Sequence, residues 1–478
     1  MPTNVPPAVQ ETFDRLKDAR AEYIELKEID GRYYVYAATS EWDKDAQQPK
    51  KQTTYLGAIS LEGEFTPKQL SESVEETERE IFEFGNSALA EHFLTDLEET
   101  LDTYTRHAEE LLAMAIIRAI DPQPLRLHRS RWEELAVSRD RDARLSPKHL
   151  STVLTETGQS VGWWHEVFSS LIDDNDLLLY DLTTIFSQSE QISLAEKGYN
   201  TSGEYRNQIG VVLAFSKSTD LPAGVEVYWG SLKDISTIGD FLDRLQDRDL
   251  GFILDRGFWS EPLLEEFREE GISYLAPLRK NSHLFDTRWV DWRGPFDYRG
   301  RAILWGRRQS DHGPIYFFQD PELEGEQKGA LLRKVEQGRM DRATYEEKKE
   351  RAGIIGLVSD LDREGPEIFD LYKGRQDVEV AFDAMKNHLD ADTTYLQDND
   401  AVRGYYFVTF LALRVYFKIL KRLRERELTG QLSVTEVLYE LSKIQLIVEP
   451  DEDREYFAKV PKQARETAAL FPEALPMG

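Results

Sequence analysis

The chain has 478 residues and a formal charge of −29, from 59 Lys and Arg against 88 Asp and Glu. That length predicts two to four domains, and 40% hydrophobic residues with 9 Trp, 21 Tyr and 23 Phe exclude a disordered chain. The absence of cysteine excludes disulfides, thiolate metal sites and cysteine nucleophiles, and only 8 His argue against a His-rich metal site. Any metal is therefore expected on carboxylates, which favours magnesium, manganese or calcium.

The first residues, Met1-Pro2-Thr3-Asn4-Val5-Pro6-Pro7, carry neither the basic nor the apolar region of a secretion signal. Residues 1–66 read as a short helix followed by a β-hairpin region. Runs at 23–27 and 32–36 flank the turn Asp30-Gly31, a polar loop is expected at 41–52, and a further strand at 54–59. Residues 67–170 read as helical, with a basic run of Arg118, Arg126, Arg129, Arg131, Arg139, Arg141, Arg144 and Lys148.

From residue 171 the pattern changes. Apolar runs at 177–182, 210–215 and 224–229 read as strands. Then come a helix at 236–245, a strand at 251–255, a helix at 261–270 closed by Gly271, and a strand at 272–276. The order β-β-β-α-β-α-β is that of a ribonuclease H-like α/β core, a mixed five-stranded sheet with flanking helices. Asp181 ends the first strand and Asp255 the fourth, each after an apolar run where a charge is costly without a partner or a metal.

A β-rich insertion is expected over 286–352, the core resuming at 353–428 and a helical tail closing the chain at 429–478. The window 279–308 is the most basic of the chain, eight Arg and Lys against three Asp. Trp289, Trp292 and Trp305 stand among those charges. A charged helix is expected at 328–351. The longest apolar stretch, 407–420, contains Arg414 and Lys418 and reads as a core helix and not a membrane span. With no leader and no span, a cytoplasmic protein is expected.

A long helix is predicted over 366–389. At about 100° per residue, Tyr372, Arg375, Glu379 and Lys386 fall within about 60° of arc, beside an apolar stripe of Val378, Phe382, Met385 and Leu389. A row of Tyr, Arg, Glu and Lys is suited to holding a phosphate beside a metal: Glu379 could join Asp181 and Asp255, while Arg375, Lys386 and Tyr372 take the phosphate.

The spacing Y-x2-R-x3-E-x6-K, with Asp181 in Tyr-Asp-Leu-Thr-Thr and Asp255 in Leu-Asp-Arg-Gly, resembles the Tyr-Arg-Glu-Lys signature of DDE transposases of bacterial and archaeal insertion sequences. The similarity is to the subgroup with a β-rich insertion between the second Asp and the Glu, and it covers about residues 20–425. It implies a ribonuclease H-like core and metal-dependent phosphoryl transfer, an endonucleolytic cut followed by strand transfer in cut-and-paste DNA transposition. Asp181, Asp255 and Glu379 would be the catalytic, metal-binding acids. Two Mg2+ or Mn2+ ions about 4 Å apart would be held between them.

The resemblance also implies double-stranded DNA as partner, both terminal inverted repeats and target, a homodimer on DNA, no membrane, and association with the prokaryotic nucleoid when active. Tyr372, Arg375 and Lys386 would grip phosphate near the cut end, and the helical region 67–170 with the N-terminal hairpin would be the DNA-binding part that recognises the terminal repeats. Arg206 and Arg256 are further phosphate candidates from their nearness to the acids in sequence. Some relatives form a DNA hairpin and flip a base onto an aromatic, for which Trp289, Trp292 and Trp305 are the candidates. A nuclease of the same fold without strand transfer and a domesticated DNA-binding regulator are the other readings.

The total charge argues against DNA, whose binding runs on phosphate neutralisation, but only the local field at a site matters. The acid excess, with 22 Lys among the 59 bases, is also what a solvated surface in a halophilic host shows. Arginine is then kept where phosphate must be held.

Overall fold

Two units make up the chain: Met1–Arg79 with Glu449–Arg454, and Glu80–Val448 with Glu455–Gly478. The computed structural model describes residues 5–20, 23–29, 31–43, 48–68, 79–189, 192–199, 205–230, 238, 241, 250–450 and 453–476.

In the first unit, helix α1 (Pro7–Asp18) starts on a proline and buries Val9 and Phe13. They meet Ile24 and Leu26 of β1 (Ile24–Ile29), Tyr33 and Val35 of β2 (Arg32–Asp43), and Ile59 of β3 (Gln48–Ile59). Ile29 pairs with Arg32, so the hairpin turns over two residues, with Gly31 at φ +74°. A fourth strand, β4 (Phe65–Pro67), completes the sheet. The polar loop expected at 41–52 is mostly strand: β2 and β3 stay paired out to Asp43↔Gln48, a backbone ladder that the polar composition concealed. Residues 44–47 lie outside the described residues.

The second unit opens with β5 (Glu80–Glu83), paired antiparallel with the strand Gln445–Glu449. Helices α2 (Gly85–His92), α3 (Thr95–Tyr104), α4 (Ala108–Ile120), α5 (His128–Glu133), α6 (Pro147–Gln159) and α7 (Trp164–Ser170) follow. The central sheet comprises β6 (Leu177–Ser187), β7 (Glu196–Tyr199), β8 (Tyr205–Ser216), β9 (Leu221–Trp229), β10 (Gly251–Leu254), β11 (Ser273–Pro277), β12 (Asp291–Tyr298), β13 (Arg301–Ser310), β14 (Gly313–Gln319), β15 (Ile354–Ser359) and the short β16 (Thr393–Thr394). Between β10 and β11 lies α8 (Glu261–Glu270), which ends on left-handed Gly271. The helix expected at 236–245 lies outside the described residues apart from Ile238 and Phe241, both buried and helical.

The sheet is mixed. Its order is β12-β13-β14-β15-β11-β10-β6-β8-β7, with β9 also on β8 and β16 on β6. The first five strands of the expected core thus lie side by side as third, second, first, fourth and fifth. β10 is parallel to both β6 and β11. The strands of the region expected as a β-rich insertion extend the central sheet. β12, β13 and β14 run as an antiparallel meander into β15, and β15 pairs with β11. The charged helical stretch at 328–351 is two helices, α9 (Pro321–Glu336) and α10 (Arg342–Lys349), separated at Gly338, φ +66°.

Helix α13 (Asn399–Glu425) crosses α6 closely because each supplies a glycine at the contact. A Cβ on Gly158 would lie 1.8 Å from the Asp400 carbonyl oxygen, and one on Gly404 2.1 Å from that of Leu154. Buried Arg414 on α13 donates to the Pro222 carbonyl and pairs with Asp96, so its charge is met inside the core. Among the described residues no helix is long and apolar enough to cross a membrane.

Candidate active site

Asp181 and Asp255 stand at matching places on neighbouring parallel strands. Tyr180 of β6 pairs with Leu254 of β10, and each acid is the next residue along. Adjacent strands run about 4.8 Å apart, so the two backbones bring the acids to one edge of the sheet. The residues before them, Leu178 to Tyr180 and Phe252 to Leu254, are buried in the core, which fixes where the acids emerge. Asp181 accepts a hydrogen bond from the Leu182 amide at 2.9 Å.

The helix predicted over 366–389 is three pieces. α11 (Gly365–Lys373) ends at Gly374, α12 (Gln376–Asp383) follows, and a π-helical turn covers Ala384–His388. At the first junction the amides of Asp377 and Val378 bond back three residues, to Gly374 and Arg375. At the second, the Leu389 amide reaches five residues back to Ala384. A tightened turn and a widened one shift the helical phase, so the single 60° row derived from a straight helix does not hold.

The polar residues nevertheless meet. The Arg375 guanidinium pairs with Asp255 through one terminal nitrogen and with Glu379 through the other, the latter at 2.8 Å. Tyr372 lies beneath the same guanidinium, its ring centroid 5.9 Å from it. Burial raises the Tyr372 hydroxyl above its ordinary pKa, with Arg375 and Arg256 opposing and Asp255 and Glu379 reinforcing the shift. Arg256 therefore belongs to this cluster.

Lys386 donates to Thr183 Oγ1 at 2.7 Å. Thr183 is two residues from Asp181 on β6 and so shares its face, which brings Lys386 to the first acid. Burial lowers the Lys386 pKa, while Asp392, Asp181 and Asp383 oppose that shift. Of this group, Thr183 and Asp392 were not singled out in the sequence.

Other candidates are not brought there. Arg206 lies seven residues along β8 from Leu213, the partner of Asp181, or about 23 Å at strand rise. It stacks on Phe186 instead, 5.3 Å from the ring centroid. Trp305 is buried at 7% exposure, packed against Gly365 with Arg293 5.5 Å from its ring centroid. Trp289, at 78%, and Trp292 are exposed.

The basic run of the helical region is largely spent inside the fold. Arg141 binds Glu91, Glu98 and Glu109, and Arg131 binds Glu83, Asp121 and Glu134. Arg129 and Arg139 pair with Glu133 and Glu455, and Arg118 is buried on the Leu389 carbonyl and the Tyr405 hydroxyl. Arg126, Arg144 and Lys148 have no ion pair among the described residues.

Two features position the helix that carries Arg375 and Glu379. Lys217 and Arg424 both pair with Asp377 in the first turn of α12, at 3.3 and 3.0 Å. At the far end, Arg118 and His388 tie the end of the π turn to α4, through the Leu389 and Ala119 carbonyls.

Two aspartates and a glutamate, all at least partly exposed, form a hard oxygen donor set that fits Mg2+ or Mn2+. Their ligating oxygens are not gathered within 4.8 Å of one another; among the described residues that holds only for His107, Glu110 and His149. The guanidinium of Arg375 holds the place between Asp255 and Glu379.

A family model described as the transposase DDE domain matches residues 114–414, which include the acids and the Tyr-Arg-Glu-Lys positions. No curated protein matches the chain. The transposase in a cryo-EM structure of a piggyBac synaptic complex with hairpin DNA is similar at 12% identity, over 82% of this chain and 84% of that one. Its TM-score is 0.36, and no residue role is carried over from it. With the family model spanning well over half of its length, the chain belongs to the transposase DDE domain family.

Proposed function

We propose that this DDE transposase cuts and rejoins double-stranded DNA in cut-and-paste transposition of a prokaryotic insertion sequence, with Asp181, Asp255 and Glu379 as its catalytic acids. The observation that carries the reading is the Asp255–Arg375–Glu379 chain beside Asp181, which joins the acids of two parallel strands to that of a later helix. The strand order third, second, first, fourth, fifth supports a ribonuclease H-like core.

Asp181, Asp255 and Glu379 would hold the divalent metal, two Mg2+ or Mn2+ ions in this reading. When bound, the metal supplies activation of the attacking oxygen and stabilisation of the leaving one. The chain's own residues do the rest. Arg375 leaves its carboxylates for the phosphate, Tyr372 donates its hydroxyl proton in a hydrogen bond to the same group, and Lys386, fixed by Thr183, supplies a positive charge at the Asp181 side. Arg256 extends the phosphate contacts along the strand. The DNA partner comprises the element's terminal inverted repeats and a target duplex, held by a homodimer.

The test uses the full chain with a labelled duplex of the element's end, intact or pre-cut, and Mg2+. Joining of the pre-cut end to a target plasmid, lost in Asp181→Asn, Asp255→Asn and Glu379→Gln, is the expected result. Hydrolysis without joining would leave a nuclease of the same fold, and unchanged joining in Asp255→Asn would overturn the assignment of the acids.

A further inference from the structure

We propose that His107, Glu110 and His149 form a second metal site in the helical layer, one that takes a borderline divalent ion, zinc being the expected occupant. The ligating atoms of these three side chains all lie within 4.8 Å of one another. His107 and Glu110 open α4, and His149 stands in the first turn of α6, so an ion there would tie the two helices together.

The carboxylate of Glu110 is the first argument. The residue is 6% exposed, and a buried carboxylate is costly without a cation. Among the described residues its ion pairs are with the two imidazoles alone, His149 Nε2 at 3.0 Å and His107 Nδ1 at 3.9 Å. Glu110 Oε1 also accepts a hydrogen bond from the Arg144 amide at 3.4 Å, but among the described residues no guanidinium pairs with its carboxylate: Arg141 is held by Glu91, Glu98 and Glu109, and Arg106 by Glu156. Glu110 therefore lacks a permanent positive partner, and a divalent ion would supply one.

The orientation of His107 is the second. Its Nε2 lies 2.8 Å from Glu156 Oε2, and Arg106 holds that carboxylate in turn at 2.7 Å. Arg106 Nε also approaches the same ring nitrogen at 3.4 Å, but the shorter carboxylate contact makes Nε2 the proton-bearing side. The Nδ1 lone pair then faces Glu110 across 3.9 Å, too far for a hydrogen bond. A carboxylate behind a histidine, fixing its tautomer toward an ion, is the usual outer shell of such a site. Around tetrahedral zinc, with bonds of about 2.0–2.2 Å, ligand atoms stand about 3.4 Å apart, between the two distances observed. His149 is partly exposed, which leaves an entry path and a place for water as fourth ligand.

Two imidazoles with one carboxylate favour zinc or a similar ion over Mg2+, which prefers oxygen alone. His107 and Glu110 precede the region matched by the family model, and the site does not depend on the acids of the catalytic cluster.

The experiment strips the full chain with a chelator, saturates it with Mg2+ to occupy oxygen sites, and titrates Zn2+ with elemental analysis and Co2+ with visible absorption as readouts. One equivalent of zinc per chain is expected, with a cobalt spectrum showing nitrogen ligation. His149→Ala should lose at least 10-fold in affinity while its circular dichroism stays native. Glu156→Gln, which leaves all three ligands in place, should weaken zinc about 10- to 100-fold. Absence of zinc from the Mg2+-saturated wild type, undiminished zinc in His149→Ala, or loss of zinc in Asp181→Ala would each overturn the proposal.

Discussion

Arg375 and Asp255 are joined by an ion pair at the junction of helix and sheet, and the same guanidinium reaches Glu379 at 2.8 Å. A side chain expected to hold phosphate thus neutralises two of the three acids expected to hold metal. On the proposed assignment the two uses would exclude each other in time, so the acids would take metal as the arginine turns to phosphate. Arg375→Ala is expected to lower the Mg2+ concentration for half-maximal activity several-fold while cutting the cleavage rate about 100-fold. A cleavage assay across a Mg2+ titration measures both. A raised Mg2+ requirement would show that the arginine organises the acids and does not compete for them.

Lys386 works under a different constraint. Its ammonium is held by Thr183, and burial lowers its pKa from the ordinary value of 10.5. The protonated form is the one that can face phosphate, so activity should fall as pH rises through the lowered pKa, earlier than for a solvated lysine. Lys386→Arg, whose charge does not titrate, should move this alkaline limb upward. Thr183→Val should cost about 10-fold in rate with little loss of stability, since one hydrogen bond is worth about 1 kcal/mol. A pH–rate profile with unchanged limbs in Lys386→Arg would exclude Lys386 as the group observed.

What the sequence disclosed, and what it hid, follows from the range of the forces involved. Asp181 and Asp255 stand out because each terminates an apolar run, and the order of strands and helices along the chain can be counted from such continuous runs, while their adjacency in the sheet follows only from the fold that this order matches. Glu379 and Arg375 were legible through spacing on one helix. Their phase was not, because the 3-10-type junction after Gly374 and the π turn at Lys386 come from tertiary contacts such as Lys217 and Arg424 on Asp377. That much of the basic run from Arg118 to Lys148 is ion-paired is hidden because its partners, Glu83, Glu91 and Glu455 among them, are distant in sequence. That the meander of β12 to β14 continues the central sheet through β15 is hidden, because nothing local reveals that pairing. The meeting of His107, Glu110 and His149 is hidden for the same reason: a count of eight histidines says nothing about which two meet.

Trp289 and Trp305 lie 16 residues apart in the same basic window and should respond in opposite ways. Trp289 is 78% exposed, so Trp289→Ala should change stability by less than about 0.5 kcal/mol and weaken binding of single-stranded or hairpin DNA ends by about 1–3 kcal/mol. Trp305 fills the space over Gly365, where a Cβ would already lie 2.1 Å from its ring. Trp305→Ala should cost about 3–5 kcal/mol of stability through the cavity it leaves. Denaturant unfolding with end-binding titrations separates the two. A destabilised Trp289→Ala, or DNA affinity unmoved by it, would remove Trp289 as the stacking residue.

His128 gives the fold an acid limit of its own. The ring is 1% exposed; its Nε2 donates to the Gln123 carbonyl at 3.0 Å, and Nδ1 is buried with no hydrogen-bond partner among the described residues. Burial pushes its pKa down from 6.5 to about 4, helped by nearby Arg118 and resisted by the Gln123 contact. Above pH 6.5 the ring is neutral in both folded and unfolded chains and contributes nothing to the pH dependence. As pH falls from 6.5 to about 4, the unfolded chain takes up a proton that the folded chain refuses, so stability falls. The full drop corresponds to about 3 kcal/mol. Carboxylates also titrate toward the acid end of this window, so the comparison must be between wild type and His128→Gln, which keeps a donor for the Gln123 carbonyl. Urea unfolding at pH 7, 5.5 and 4.5 should show the variant less stable than wild type at pH 7 and the gap closing as pH falls. A gap that stays constant across those values would mean that the buried ring does not set the acid limit.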